Sequence, residues 1–211
     1  MLGTADEDIG VQFALILEFY AKYAPNMRAR FRPPATGADF SRYEEFFGES
    51  FPDDLAPVMK LANGCPRDGD FFLHQLLGVD EVIETRRGME LMRRHYAGMV
   101  NGDYPLIVSL KPSIVSARYW SDGWIPFTAT DGDGGLALDL SPEIDGRTGQ
   151  VVNYGLDENW RACVAPTVAG LLARINELIT AGRFLIDPES NRVSFFSQSD
   201  DNDLLLALIE T

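Results

Sequence analysis

A 211-residue chain that is 45% hydrophobic can bury a sizeable core and is too apolar for a disordered polymer. Its 18 Lys and Arg against 32 Asp and Glu leave a formal charge of −14, a field that repels phosphate backbones and argues against general nucleic-acid binding. The sequence shows no metal-ligand spacing, no basic-then-apolar leader and no apolar run long enough to cross a bilayer, so the expectation is a cytoplasmic protein without membrane contact, metal or cofactor.

Met1 to Asp8 is polar. From Ile9 the apolar positions Ile9, Phe13, Ile16, Leu17 and Tyr20 recur at helical spacing, with Asp6 or Asp8 as cap and Pro25 as terminator. Residues 25–40 hold Arg28, Arg30, Arg32, Pro33, Pro34 and Gly37. This basic stretch reads as a solvated linker, ahead of docking on the acidic body or binding phosphate. Phe40, Tyr43, Phe46 and Phe47 form an aromatic cluster suited to core packing. Phe51-Pro52-Asp53-Asp54 opens a helix that Asn63-Gly64 stops as a cap.

Phe71-Phe72-Leu73 reads as a strand. Asp80 caps a further helix that buries Val82, Ile83, Met89, Met92 and Tyr96 and turns Arg86, Arg87, Arg93 and Arg94 outward to pair with carboxylates; Gly88 weakens it. Asn101-Gly102 is a turn, and Tyr104–Leu110 and Ser113–Trp120 read as strands. The run Tyr119 to Val152 follows: Trp120 and Trp124 around a Ser-Asp-Gly turn, an Asp/Gly loop at Asp131–Gly135, alternation over Leu136–Leu140, a Pro/Gly turn, then Val151-Val152. Strand, tight turn, strand, longer turn, strand is the simplest reading.

Trp160–Val164 is a further strand. Pro166-Thr167 opens the clearest helix, with Val168, Leu171, Leu172, Ile175, Leu178 and Ile179 on one face and Gly182 past its end. Phe184–Ile186 and Val193–Phe196 are two strands around a turn. Leu204–Ile209 is a short helix or docking tail. Strands in the middle with helices on either side argue α+β, a mainly antiparallel sheet with helices packed on one face.

The motifs W-I-P-F-T-A-T-D-G-D-G-G-L-A-L-D-L-S-P and G-R-T-G-Q-V, with F-P-D-D-L-A-P-V-M-K-L-A-N-G and L-L-G-V-D-E-V-I upstream, resemble the core signature of the SUKH superfamily. That family includes fungal cell-wall-assembly regulators of the Smi/Knr type and bacterial immunity proteins. The resemblance runs over roughly residues 40 to 180. It implies a SUKH-like domain (40–183); outside it, the residues read as an N-terminal helix and linker (1–39) and a C-terminal extension packed on the same domain (184–211).

Catalytic signatures are thin. His74 and His95 read as structural or exposed, and no nucleophile elbow or phosphate loop occurs. Asp131 and Asp133 have the first two ligand spacings of an EF-hand loop. However, Leu136 stands where its glycine belongs and Pro142 where its bidentate glutamate belongs, so a turn is expected. Asp139 is either exposed or buried against a turn backbone.

The preferred reading is a non-enzymatic protein-binding module. The resemblance implies an immunity protein that occludes a basic toxin such as a nuclease, and the candidate contact residues are Trp120, Asp122, Trp124, Asp131 and Asp133. The alternatives are a regulatory scaffold for cell-wall assembly and an uncharacterised hydrolase.

Overall fold

A computed structural model describes residues 5–96, 107–132, 134–155, 159–196, 204 and 208. Its centre is a four-stranded antiparallel sheet. To fix the labels, α1 is Ala5–Tyr23, α2 Pro25–Arg28, α3 Gly37–Phe47, α4 Ala56–Met59, α5 Val79–Tyr96 and α6 Val168–Thr180. The strands are β1 Gln75–Leu76, β2 Val108–Ser109, β3 Trp124–Pro126, β4 Thr128–Ala129, β5 Gly134–Asp139, β6 Gln150–Gly155, β7 Trp160–Arg161, β8 Cys163–Ala165, β9 Phe184–Ile186 and β10 Val193–Phe195. The sheet runs β3-β5-β6-β8, and antiparallel pairs β1–β4 and β9–β10 and a parallel pair β2–β7 surround it. The α+β expectation holds.

Both faces of the sheet are covered. Ile125, Leu136, Leu138 and Val151 join the larger core with the apolar faces of α1 and α6. The alternate residues Trp124, Ala137, Val152 and Tyr154 join a second core with Val115, Tyr119, Trp120 and Met89 of α5. The period-2 alternation of side chains thus feeds two cores, and every residue of β5 and β6 is buried.

The helix expected from Ile9 forms as α1 and buries Ile9, Phe13, Ile16, Leu17 and Tyr20. Pro25 follows its end and opens α2, where a missing N–H costs nothing. In α6 the Thr167 hydroxyl accepts from the Gly170 N–H, and Gly182 takes φ +67 just beyond it.

The basic stretch after α1 is not a solvated linker. Arg32 and Ala35 donate backbone N–H groups to the Gly64 and Met59 carbonyls, and Asn63 donates to that of Pro33. Arg30 pairs with Asp68, and Arg32 with Glu81. Carboxylates distant in sequence anchor it.

The helix expected after Phe51 shrinks to the four residues of α4, preceded by a turn in which the Pro52 carbonyl accepts from Leu55 and Ala56. Asn63-Gly64 is a cap, but of another helix: Asn63 Oδ1 accepts the Val79 N–H at 2.8 Å, at the start of α5. Gly64 has φ +77, and a Cβ there would lie 2.3 Å from the Gly78 nitrogen, so only glycine fits the close approach. Asp80 lies inside α5 and pairs with Arg42.

Two expected strands are absent. Phe71 and His74 exchange backbone bonds around a two-residue turn, with Phe72 at φ 55 and Leu73 at φ 69. Ser113–Trp120 is a coil of turns. Its carbonyls serve side chains that no local pattern announces: Gln150 Nε2 donates to Ile114, Ser109 Oγ to Val115, and buried Arg161 to Arg118 and Tyr119. Of Tyr104–Leu110 the described part is β2 with its flanks, and Asn101-Gly102 lies outside the described residues. Of Leu204–Ile209 the described residues are Leu204 and Leu208, both buried in the larger core.

Candidate functional site

The turn between the tryptophans is tightly built. Trp124 donates its backbone N–H to the Ser121 carbonyl at 3.0 Å, and Leu140 donates to the Gly123 carbonyl at 2.8 Å. A Cβ on Gly123 would collide with the Ser141 hydroxyl, which itself lies 3.1 Å from that of Ser121. Both tryptophans lie beneath this turn, Trp120 3% and Trp124 1% exposed, in an edge-to-face pair whose ring centres are 6.0 Å apart. Tyr154 packs edge-on to Trp120 at 5.7 Å. They fill the second core, so neither candidate contact residue offers its ring to a partner.

Asp139 settles as buried. Its carboxylate accepts the Ser141 N–H at 2.9 Å and the Gln150 amide at 2.9 Å, and the Trp124 side chain, opposite it across β3–β5, also donates to it. Burial pushes its carboxyl up, while these donors pull it down. Asp139 and Gln150 sit opposite each other in β5–β6, and Gln150 also reaches Ile114, so this polar pair fastens the coil to the sheet.

The Thr-Ala-Thr-Asp-Gly run is likewise structural. Thr128, fully buried, accepts the Leu136 N–H on its hydroxyl at 2.9 Å and the Tyr154 hydroxyl on its carbonyl at 2.9 Å. His74 Nδ1 lies 3.0 Å from the same hydroxyl, so this histidine is a buried structural group. A Cβ on Gly135 would lie 2.1 Å from the Thr128 carbonyl oxygen.

The carboxylates fare differently from the tryptophans. The side chain of Asp122 is 61% exposed and pairs with Arg93 at 3.0 Å; that of Asp131 is 77% exposed and lies 3.8 Å from Arg192. They flank opposite ends of the Trp124–Ala129 run and pair with different elements, so they do not converge on one point. Asp133 lies outside the described residues. Among the described residues no His, Cys, Asp and Glu cluster could hold a metal, and the side chain of His95 is not described.

The arginines of α5 split. Arg86 is buried, against the expectation that it faces outward. Its Nη1 donates to the Tyr43 hydroxyl at 2.6 Å, it pairs with Glu49 and Glu90, and its guanidinium lies 4.1 Å over the Phe47 ring. Arg93 pairs with Asp122 as expected of this set. Sequence reading also missed Asp70. Fully buried, it accepts from the Tyr20 hydroxyl at 3.0 Å and from the Leu73 and Val193 N–H groups at 2.8 Å each, tying α1, the Phe72-Leu73 turn and β10 together. A lone acid before Phe-Phe-Leu carries no local signal for that role.

Between α5 and the sheet lies a cavity of about 330 Å³, lined by Gly88, Met89, Met92, Tyr119, Gly132 and Tyr154 among others. Its described lining holds no carboxylate, histidine or thiol.

The SMI1 / KNR4 family (SUKH-1) model matches residues 34–174, the stretch that holds α3 to the first half of α6, with Gly123, Gly135 and the Asp139–Gln150 pair inside it. The chain belongs to that family. Curated relatives are similar to it over stretches of different length. A cell wall biosynthesis/cell cycle regulator of Schizosaccharomyces pombe is 28% identical over 167 residues, 74% of this chain and 33% of that protein. A cell wall assembly regulator of Saccharomyces cerevisiae is 22% identical over 207 residues, 82% of this chain and 41% of that protein. A glucan synthesis regulatory protein of Neurospora crassa is 32% identical over 85 residues, 40% of this chain and 16% of that protein. The chain therefore spans less than half the length of these relatives. They are named as regulators, not as enzymes or as toxin-neutralising proteins, so the family evidence favours the regulatory alternative over the immunity reading. Among the described residues no helix is long and apolar enough to cross a membrane.

Proposed function

We propose that this chain is a protein-binding regulatory module of the kind the fungal relatives carry, acting in the cytoplasm on cell-wall assembly without turning over a substrate. The observation that carries this reading is the family match over residues 34–174 together with relatives named as wall regulators. The structure supports it from another side. Residues of the motifs that carry the family resemblance, Thr128, Gly135, Asp139 and Gln150, are spent on backbone approach and internal hydrogen bonds. What remains for a partner is the surface, where Asp122 and Asp131 stay as contact candidates, with Asp133, and the tryptophans stiffen the turn from beneath. A charge of −14 suits a basic protein face and speeds its capture.

The test is complementation. Expressed in a yeast lacking its own regulator of this family, the chain restores growth under wall stress, and affinity capture from those cells enriches wall-synthesis or signalling proteins over an inert acidic control. Failure of both, with the chain folded and expressed, refutes the reading.

A further inference from the structure

Helices α3 and α5 pack side by side, and their shared outer face carries side chains that the fold does not use. Phe46 on α3 is 54% exposed and Leu91 on α5 is 62% exposed. The Arg87 guanidinium lies 5.0 Å over the Phe46 ring, and Arg87 and Leu91, four residues apart, are neighbours on one face of α5. Phe46, Arg87 and Leu91 thus form a continuous stripe across two helices. Beneath it, buried Arg86 clasps Tyr43, Phe47 and Glu49, which fixes α3 against α5 before any partner arrives. An aromatic ring, an arginine and a leucine held in advance are the makings of an interface centre: aromatics and arginine dominate binding energy, and a preformed surface loses little entropy on docking.

The edges indicate what covers it. Exposed Glu84, three residues before Arg87 on α5, and exposed Glu45, next to Phe46 on α3, border the stripe with no ion pair among the described residues, while Asp80 and Glu49 nearby are held by Arg42 and Arg86. Arg42 is already engaged by Asp39 and Asp80; Arg94 stands at the far end of α5. A second copy of a chain charged −14 is repelled, as is an anionic membrane. We propose that the Phe46–Arg87–Leu91 stripe is the docking surface for a protein partner that presents an apolar cleft edged by lysines or arginines. This rests on the reading that the chain works by binding protein, and it adds the surface and the chemistry of what binds there.

The experiment places a photo-crosslinking benzoylphenylalanine in the full chain at position 46, 91, 144 or 185, in the cells the chain comes from. Ile144 and Leu185 are exposed controls outside the stripe. Adducts at 46 and 91 are expected. The captured protein is then purified and its affinity measured. The double variant F46E/L91E, with unchanged Tm, binds about tenfold or more weakly, I144E binds within about twofold of the parent, and affinity falls with salt. Arg87→Glu provides a second variant should the double one lose stability. Adducts at 144 or 185 alone overturn the stripe and leave the protein-binding reading standing. An adduct of two copies of the chain overturns the stated partner chemistry. No adduct at any of the four positions counts against the protein-binding reading itself.

Discussion

Asp70→Ala offers the sharpest check on how the parts of this chain are held together. Asp70 Oδ1 accepts the Leu73 N–H, Oδ2 accepts the Tyr20 hydroxyl and the Val193 N–H, and the Tyr20 hydroxyl in turn accepts the Phe72 N–H at 2.9 Å. Alanine strands two buried donors from segments 50 and 123 residues away and a half-buried one next door. Each abandoned donor costs about 1–3 kcal/mol, and because some re-pair or admit water the expected total is about 3–5 kcal/mol. That is a large part of the roughly 5–15 kcal/mol that keeps a domain folded. Asparagine keeps one acceptor oxygen but turns an NH₂ toward the Leu73 N–H, so it costs less, about 1–3 kcal/mol. Urea unfolding gives the free energies, and hydrogen exchange at the Val193 amide reports whether β10 has come loose. A loss below about 1 kcal/mol for the alanine variant, or a Val193 amide as protected as in the parent, refutes the reasoning.

Leu73 sits at φ 69, so Leu73→Gly is more stable than Leu73→Ala by about 1 kcal/mol in thermal or urea unfolding, the reverse of the order at an ordinary position; alanine above glycine refutes the left-handed turn. At the start of α3 the Thr36 N–H and hydroxyl donate to Asp39, which holds its carboxyl below the usual range. Its folded pKa is the lower one, so the stability it contributes is complete above the ordinary aspartate pKa and is lost as pH falls through the depressed value. Asp39→Asn therefore flattens the acid limb of a stability-versus-pH curve, and an unchanged limb argues against this cap. Burial pushes the Cys65 thiol up to about 11. At pH 8 a disulfide reagent labels Cys65 only once urea unfolds the chain, and labelling of the native protein at the unfolded rate removes that burial from the picture.

Some of this architecture was readable because it depends on neighbours in sequence. The face of α1, the Thr167 cap and face of α6, and the hairpins of the tryptophan run follow from periodicity and turn chemistry within a few residues, and the signature motifs were enough to place the chain in its family. Other features depend on partners far along the chain. Phe71-Phe72-Leu73 has strand composition, yet Asp70, Tyr20 and Phe195, the last stacked on Phe72 at 4.6 Å, bend it into a left-handed turn. Ser113–Trp120 reads as a strand, yet Ser109, Gln150 and Arg161 take its carbonyls. Trp120 and Trp124 looked like contact residues because they flank a turn, and only a second core on the far face of the sheet puts them inside. Asn63 reads as the end of one helix and serves as the start of another. Local spacing determines where a helix or turn forms. Which side chains face solvent was decided by long-range packing, because a hydrogen bond across 50 or more residues leaves no periodic trace in the sequence.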